Sequence, residues 1–254
     1  MLRLLALLFL CLAVPALAEE TVVTGISTDK IALNANFNGS ELFVFGAIRR
    51  DGPIPPDAGP LDVVITIKGP PRQVTVRRKS RVLGIWVNTA SLKVRQAPSF
   101  YAIASTRPVA ELLDETDRLR YGIGMDEAVR RVAGSDTIED SAPFTAAVIR
   151  LRTESGSYAE LDRSVVLSED TLFQTRIDMP SNLVEGDYAA QFFLVRQGKV
   201  LSTAETTILV EKTGIERWIY NLSRQQPLLY GVLAVLVAFA AGWLAAEAFR
   251  LAKR

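Results

Sequence analysis

Apolar and polar positions alternate along the first part of the chain. In Lys30-Ile-Ala-Leu-Asn-Ala-Asn-Phe37 the alternation places Ile31, Leu33, Ala35 and Phe37 on one face of a strand. Asn38-Gly39-Ser40 then predicts a hairpin turn, with Leu42–Ile48 as the returning strand. A Pro/Gly-rich loop, 51–60, follows. Further short strands are predicted over Asp62–Lys68, Gln73–Arg78, Val82–Asn88 and Ser99–Ala104, punctuated by Gly69-Pro70-Pro71 and by Lys79-Ser80-Arg81. Short strands at this spacing point to an antiparallel β-sandwich, immunoglobulin-like in the broad sense.

The period changes at Pro108. Val109, Leu112 and Leu113 recur at helical spacing, and a second short helix is predicted from Asp126 to Ala133, closed by Gly134. A third starts at Ser141, where Phe144, Ala147, Val148 and Leu151 form an i, i+3, i+4, i+7 stripe. Strand patterns return at Ser164–Leu167, Leu172–Asp178, Asp187–Arg196 and Val200–Val210, with Gln197-Gly198-Lys199 as a hairpin turn. Four strands are few for an independent sandwich, so this set is expected to pack on the first set or on the helices.

Two segments depart from this pattern. Residues 1–18 read as a secretory signal: Arg3, an apolar stretch from Leu4 to Val14, and Ala16-Leu17-Ala18 as a cleavage site before Glu19. Near the other end, Leu228–Ala246 is a 19-residue run without a charge. At about 1.5 Å per residue it crosses a hydrocarbon core of roughly 30 Å. Tyr230 and Trp243 suit the two aromatic belts, and Arg250, Lys253 and Arg254 close the chain. Before the span, Ile215, Trp218, Ile219 and Leu222 form the apolar face of a helix expected to lie in the membrane–water interface. The resulting division is 1–18 signal peptide, 19–105 N-terminal β lobe, 106–156 helical insertion, 157–212 C-terminal β lobe, 213–227 amphipathic juxtamembrane helix, 228–249 transmembrane helix and 250–254 basic cytoplasmic tail. The fold class expected is mainly β with a helical insertion: an immunoglobulin-like antiparallel β-sandwich ectodomain plus one C-terminal transmembrane helix. Export of the N-terminal part places that domain outside the cytoplasm and leaves the tail in the cytoplasm.

Composition narrows the chemistry. The mean hydropathy of +0.19 is inflated by the two terminal segments. The chain has no His and one Cys, Cys11, which lies inside the signal. Imidazole-based catalysis, two-His zinc helices and intramolecular disulfides are thereby excluded. The formal charge of +1 gives no electrostatic case for a nucleic-acid partner, and removal of Arg3 with the signal brings it to zero.

Several strings also resemble a known family: Ser40-Glu-Leu-Phe-Val-Phe-Gly-Ala47, Val76-Arg-Arg-Lys-Ser-Arg-Val82, Gly84-Ile-Trp-Val-Asn88, Pro98-Ser-Phe-Tyr-Ala102 and Gln226-Pro-Leu-Leu-Tyr-Gly231. They are similar to those of alphaproteobacterial single-span membrane proteins of unknown function, over nearly the whole chain from about Val22 to Trp243. The resemblance implies a Gram-negative host, an inner-membrane location and a periplasmic domain. Its association with genes for sulfite-exporter-type permeases implies a polytopic permease as a partner. It implies no activity, and no functional residue is carried over.

The most conspicuous cluster is basic: Arg72, Arg77, Arg78, Lys79 and Arg81, with Lys68 just before. With Lys79-Ser80-Arg81 as a hairpin tip it would form a cationic knob, able to bind anionic headgroups or an oxyanion, or simply to be a solvated hairpin that resists edge pairing. Trp86, Phe100 and Tyr101 are expected in the core, with a ligand-stacking shelf as the alternative. The acids Asp114, Glu115 and Asp117, then Glu139 and Asp140, lie on predicted helical or loop surfaces rather than paired across a cleft. In the predicted span Ala234, Ala238, Gly242 and Ala246 repeat every four residues, a spacing that lets another helix approach closely. No catalytic residue, metal site or cofactor is assigned. The expected function is a membrane-anchored accessory or assembly protein, held to inner-membrane lipid and contacting a polytopic membrane protein or a second copy. The alternatives are a small-anion binding or sensing module using the basic hairpin, and an enzyme with unlocated Ser–Lys or carboxylate chemistry.

Overall fold

The structure is a computed structural model that describes residues 20–34, 37–52, 58–130, 142–213 and 215–252. The predicted signal with Cys11, the end of the second predicted helix, Glu139, Asp140, Lys253 and Arg254 lie outside the described residues.

Strands dominate. A four-stranded sheet has the order β1-β3-β10-β9, built from β1 (Glu20–Ile26), β3 (Ser40–Arg50), β9 (Val166–Ser168) and β10 (Leu172–Met179). A six-stranded sheet has the order β2-β12-β11-β4-β7-β8. Its strands are β2 (Lys30–Leu33), β4 (Leu61–Lys68), β7 (Tyr101–Ser105), β8 (Tyr158–Leu161), β11 (Gly186–Arg196) and β12 (Lys199–Lys212). Strands from before and after the helical segment share both sheets, so the two β segments form one body. The helices are α1 (Val109–Leu112), α2 (Glu115–Tyr121), α3 (Met125–Arg130), α4 (Ala142–Glu154), α5 (Ile215–Gln225) and α6 (Pro227–Ala252).

The sequence of β11 shows how the layers are held. Phe192, Phe193, Leu194 and Val195 are all buried, and alternate residues point to opposite faces of a sheet. Phe192 and Leu194 meet Leu42, Val44, Phe173 and Ile177 of the four-stranded sheet. Phe193 and Val195 point the other way, into a second cluster with Leu112, Phe144 and Val148 of the helices and Ile123 between α2 and α3. The six-stranded sheet is therefore the middle layer, which is why β4, Leu-Asp-Val-Val-Ile-Thr-Ile-Lys, is apolar on both faces.

Glu20, Arg50 and Arg196 join the two sheets at one edge. The Glu20 carboxylate lies 2.9 Å from Arg50 Nε and 2.7 Å from Arg196 Nη1, with all three side chains largely buried.

Four expectations need correction. Asn38-Gly39-Ser40 is not a hairpin turn: β2 and β3 belong to different sheets, and β2 pairs in parallel with β12, Ile31 opposite Val210. Period-2 alternation identifies a buried face but not the partner strand. A second parallel pair, β7 with β8, adds a strand at Tyr158–Leu161 that the sequence reading missed. Helix α2 was missed as well; it ends at Gly122, whose φ of 65° is left-handed and whose N–H bonds Arg118 O. Finally, Lys79-Ser80-Arg81 is not a hairpin tip but the interior of a strand. β5 (Pro71–Val82) and β6 (Ile85–Pro98) form a separate two-stranded sheet whose turn is Leu83-Gly84.

Candidate functional site

β5 and β6 are the continuation of β4 and β7. Lys68 pairs with Tyr101, the Gly69 N–H bonds Phe100 O, the Ser99 N–H bonds Pro70 O, and Pro71 pairs with Pro98. The 12 residues of β5 make an arm about 40 Å long at ~3.4 Å per residue. Its elbow has no room for side-chain carbon at Gly69, where a Cβ would lie 2.6 Å from Ser99 Oγ and 2.8 Å from Tyr188 Cε1.

Buried tyrosines pin this elbow. Tyr158 donates its hydroxyl to Pro98 O at 2.9 Å, and the Tyr101 hydroxyl accepts from the Gly124 N–H at 3.2 Å. Burial pushes the Tyr158 phenol up to about 12, partly opposed by Arg152, and raises Tyr101 and Tyr188 as well. The folded protein thus retains protons that the unfolded chain releases near the ordinary tyrosine value of 10.0. This contribution to stability is complete below pH ~10 and is lost as pH rises toward ~12. Urea midpoints measured across that window should fall, and Tyr158→Phe should make the fall shallower. An identical slope in the variant would show that Tyr158 titrates alike in both states.

The arm is two-faced, because directly opposed residues share a face. Val76 and Val94 are buried, and their face packs on α4 near the elbow, then carries Ala90, Val87, Val82 and Ile85 outward. The opposite face carries Arg77, Lys79 and Arg81 at alternate positions, with Lys93 beside Thr75 and Trp86 beside Arg81. Among the described residues none of Arg77, Lys79, Arg81 and Lys93 has an ion-pair partner. From Pro71 to Pro98 there are seven basic residues and no acidic one.

The candidate basic residues are therefore only partly together. Arg77, Lys79 and Arg81 form one stripe. Arg78 lies on the other face, with its guanidinium 5.8 Å from the centre of the Phe144 ring. Arg72 is at the root, lining a cleft of about 640 Å³ with Leu183, Val184, Glu185, Lys212, Tyr220 and Asn221. A smaller cleft of about 230 Å³ between β5 and α4 is lined by Arg77, Arg78, Lys79 and Arg150 around Phe144 and Ala147.

At the tip, Leu83 and Gly84 have φ of 50° and 87°, a two-residue turn with both positions left-handed. A Leu there costs on the order of 1 kcal/mol in backbone strain. Leu83 is 99% exposed, Trp86 68%, Ile85 65% and Val82 45%. Trp86 thus departs from expectation, while Phe100 and Tyr101 are fully buried as expected. The segment Val82–Asn88, expected as a single strand, holds the end of β5, the Leu83-Gly84 turn and the start of β6, so Trp86 sits at the arm's end, clear of the core.

The acids at 114–117 have a packing role. Asp117 Oδ2 accepts from the Val200 N–H at 2.9 Å, and the Asp114 N–H donates to Gly198 O at 2.8 Å, docking α2 on the β11–β12 turn. Among the described residues no three acidic side chains gather as a metal-binding group.

The last strand leads almost directly into the apolar helix. β12 ends at Lys212, α5 begins at Ile215 and α6 at Pro227, so two residues separate the last strand from α5 and one separates α5 from α6. In α5, Tyr220 and Asn221 face the root cleft while Trp218 is exposed. The stretch Pro227–Arg250 is 24 residues long, with a mean hydropathy of 2.2 over its most apolar window, and none of that window is buried. Ala234, Ala238, Gly242 and Ala246 lie exposed along one side of α6, with nothing within 4 Å of a Cβ built at Gly242.

A family model described as "Putative transmembrane protein (Alph_Pro_TM)" matches residues 21–251. The chain belongs to this family. Membership and the one long apolar helix among the described residues agree on a membrane protein. No curated protein matches the chain. Among solved structures, Spo0M, the sporulation control protein from Bacillus subtilis, is 11% identical with a TM-score of 0.29, over 81% of this chain and 54% of that one. The chain thus spans about half the length of that protein. BslA, a bacterial hydrophobin, is 8% identical with a TM-score of 0.19, over 77% of this chain and 96% of that one. At TM-scores this low, neither likeness informs fold or function.

Proposed function

We propose that this family member is a membrane-anchored accessory protein that works by contact, holding a β-rich domain at the bilayer against a polytopic inner-membrane protein such as a permease, or against a second copy. The observation that carries this reading is the direct passage from β12 through α5 into α6, which fixes the domain close to whatever bilayer the helix enters. The domain is periplasmic and the tail cytoplasmic in this reading, as the signal-like start requires. The two facing sheets support a variant of the immunoglobulin-like sandwich, with the two parallel pairs as departures from it. The exposed small-residue side of α6 suits close helix–helix contact in the membrane.

A photocrosslinker at Ala238 in the intact membrane tests this. A discrete adduct with a polytopic protein or with a second copy is expected, reduced at least tenfold by Gly242→Leu. Only lipid adducts, unaffected by that change, would overturn the reading.

The cleft between β5 and α4 supports a second reading, a small-anion sensor, since Arg78 and Arg150 line it and Arg77 and Lys79 border it. An oxyanion panel should then raise the unfolding temperature of the full chain, and Arg78→Glu should abolish the shift. No shift with any oxyanion would end that alternative.

A further inference from the structure

The arm and the apolar helix leave the same end of the middle sheet. β4 and β12 both run antiparallel to β11, hence in the same direction as each other. β4 continues past Lys68 into the arm, and β12 continues past Lys212 into α5 and α6. Arg72 at the arm's root and Tyr220 and Asn221 of α5 line one cleft, which places the root beside the juxtamembrane helix.

The arm also has the chemistry of a membrane-contacting element. Its end is apolar and uncovered, and Leu83 holds a left-handed backbone conformation while making an exposure of 99%. Packing within the domain does not account for a leucine in that position. Trp86, a residue that favours the headgroup layer, is paired across from Arg81. Behind it runs the unpaired stripe of Arg77 and Lys79, and the whole arm has no acidic residue to oppose an anionic surface.

We propose that the β5–β6 tip inserts Val82, Leu83, Ile85 and Trp86 into the headgroup layer of the same bilayer that α6 crosses, with Arg77, Lys79 and Arg81 on the phosphates of anionic lipids. The domain then has two membrane attachments, one permanent and one electrostatic. The proposal rests on the reading of α6 as the anchor, and the test separates the two.

The full chain is reconstituted in nanodiscs containing phosphatidylglycerol and phosphatidylcholine with brominated acyl chains. One variant keeps Trp86 alone (Trp218→Phe with Trp243→Phe), and another keeps Trp243 alone (Trp86→Phe with Trp218→Phe). Trp86 should be blue-shifted and quenched by bromines near the headgroups more than by bromines near the bilayer centre. Leu83→Asp with Ile85→Asp should restore its acrylamide quenching to the level of free tryptophan, without changing the melting temperature, since the tip is uncovered. Each neutralisation among Arg77, Lys79 and Arg81 should weaken tip insertion about fivefold, and phosphatidylcholine alone should weaken it more. If Trp243 is quenched while Trp86 remains open to water, the proposal is overturned, the anchor stands, and the tip is left for a protein partner. If neither is quenched, both readings fall.

Discussion

Glu20→Ala is expected to lower the unfolding temperature of the full chain by about 10 °C. The Glu20 carboxylate lies between Arg50 and Arg196, and all three are largely removed from water. Deleting the acid leaves two guanidinium groups facing each other without a counter-charge. Breaking a buried ion pair from one side costs about 3–5 kcal/mol. For a domain of this size each kcal/mol moves the midpoint by about 2–4 °C. Arg50 is on β3 of the four-stranded sheet and Arg196 on β11 of the six-stranded one, so the loss falls on the contact between sheets. Restoring neutrality should recover part of it: Glu20→Ala with Arg50→Met and Arg196→Met should melt above Glu20→Ala alone. A midpoint within about 2 °C of wild type for the single variant would show that water or another group takes the place of the carboxylate.

Gly46→Ala is expected to be comparably damaging, by about 3 kcal/mol, at the top of the usual range for overpacking. A glycine in a strand interior ordinarily weakens it, so its presence in β3 asks for a steric reason. A Cβ there would lie 2.3 Å from Phe173 Cζ and 2.6 Å from the Val23 carbonyl oxygen. Phe173 cannot swing away, being buried with its ring 6.1 Å from that of Phe192. Adding Phe173→Leu to Gly46→Ala should recover stability relative to Gly46→Ala alone in chemical denaturation, in a double-mutant cycle. Simple additivity of the two losses would show that the obstacle is the Val23 backbone and not the ring.

What the sequence made legible follows the range of the forces involved. β10 reads Leu-Phe-Gln-Thr-Arg-Ile-Asp-Met and alternates in burial along its whole length, because period-2 burial is written residue by residue. The stripe Phe144, Ala147, Val148 is similarly local, and α4 presents it to the core, whereas Leu151 is left exposed, bordering a cleft beside Val74 and Val76 of β5. Pairing across long separations left no such trace. The four residues of β2 join the last strand of the domain in parallel, nearly 180 residues away, and nothing in Lys-Ile-Ala-Leu names that partner. The basic cluster was visible as composition, yet its division into a stripe, a stacked Arg78 and a separate Arg72 depends on β5 running unbroken from Pro71 to Val82 and on where the hairpin turns. Leu83-Gly84 is a poor match to the Asn-Gly and Asp-Gly pairs that announce such a turn.

The position of β12 bears on how the molecule is made. It is the last strand in the chain but an interior strand of its sheet, flanked by β2 on one side and β11 on the other. Until residues 199–212 are available, β2 has no ladder to join and one edge of β11 stays bare. An open edge of that kind invites pairing with other chains. Only two residues separate β12 from the helix that leads into the membrane segment. During synthesis, closure of the sheet and arrival of the apolar helix therefore fall in the same short interval, and a chain truncated before residue 199 should aggregate rather than remain a soluble half-domain.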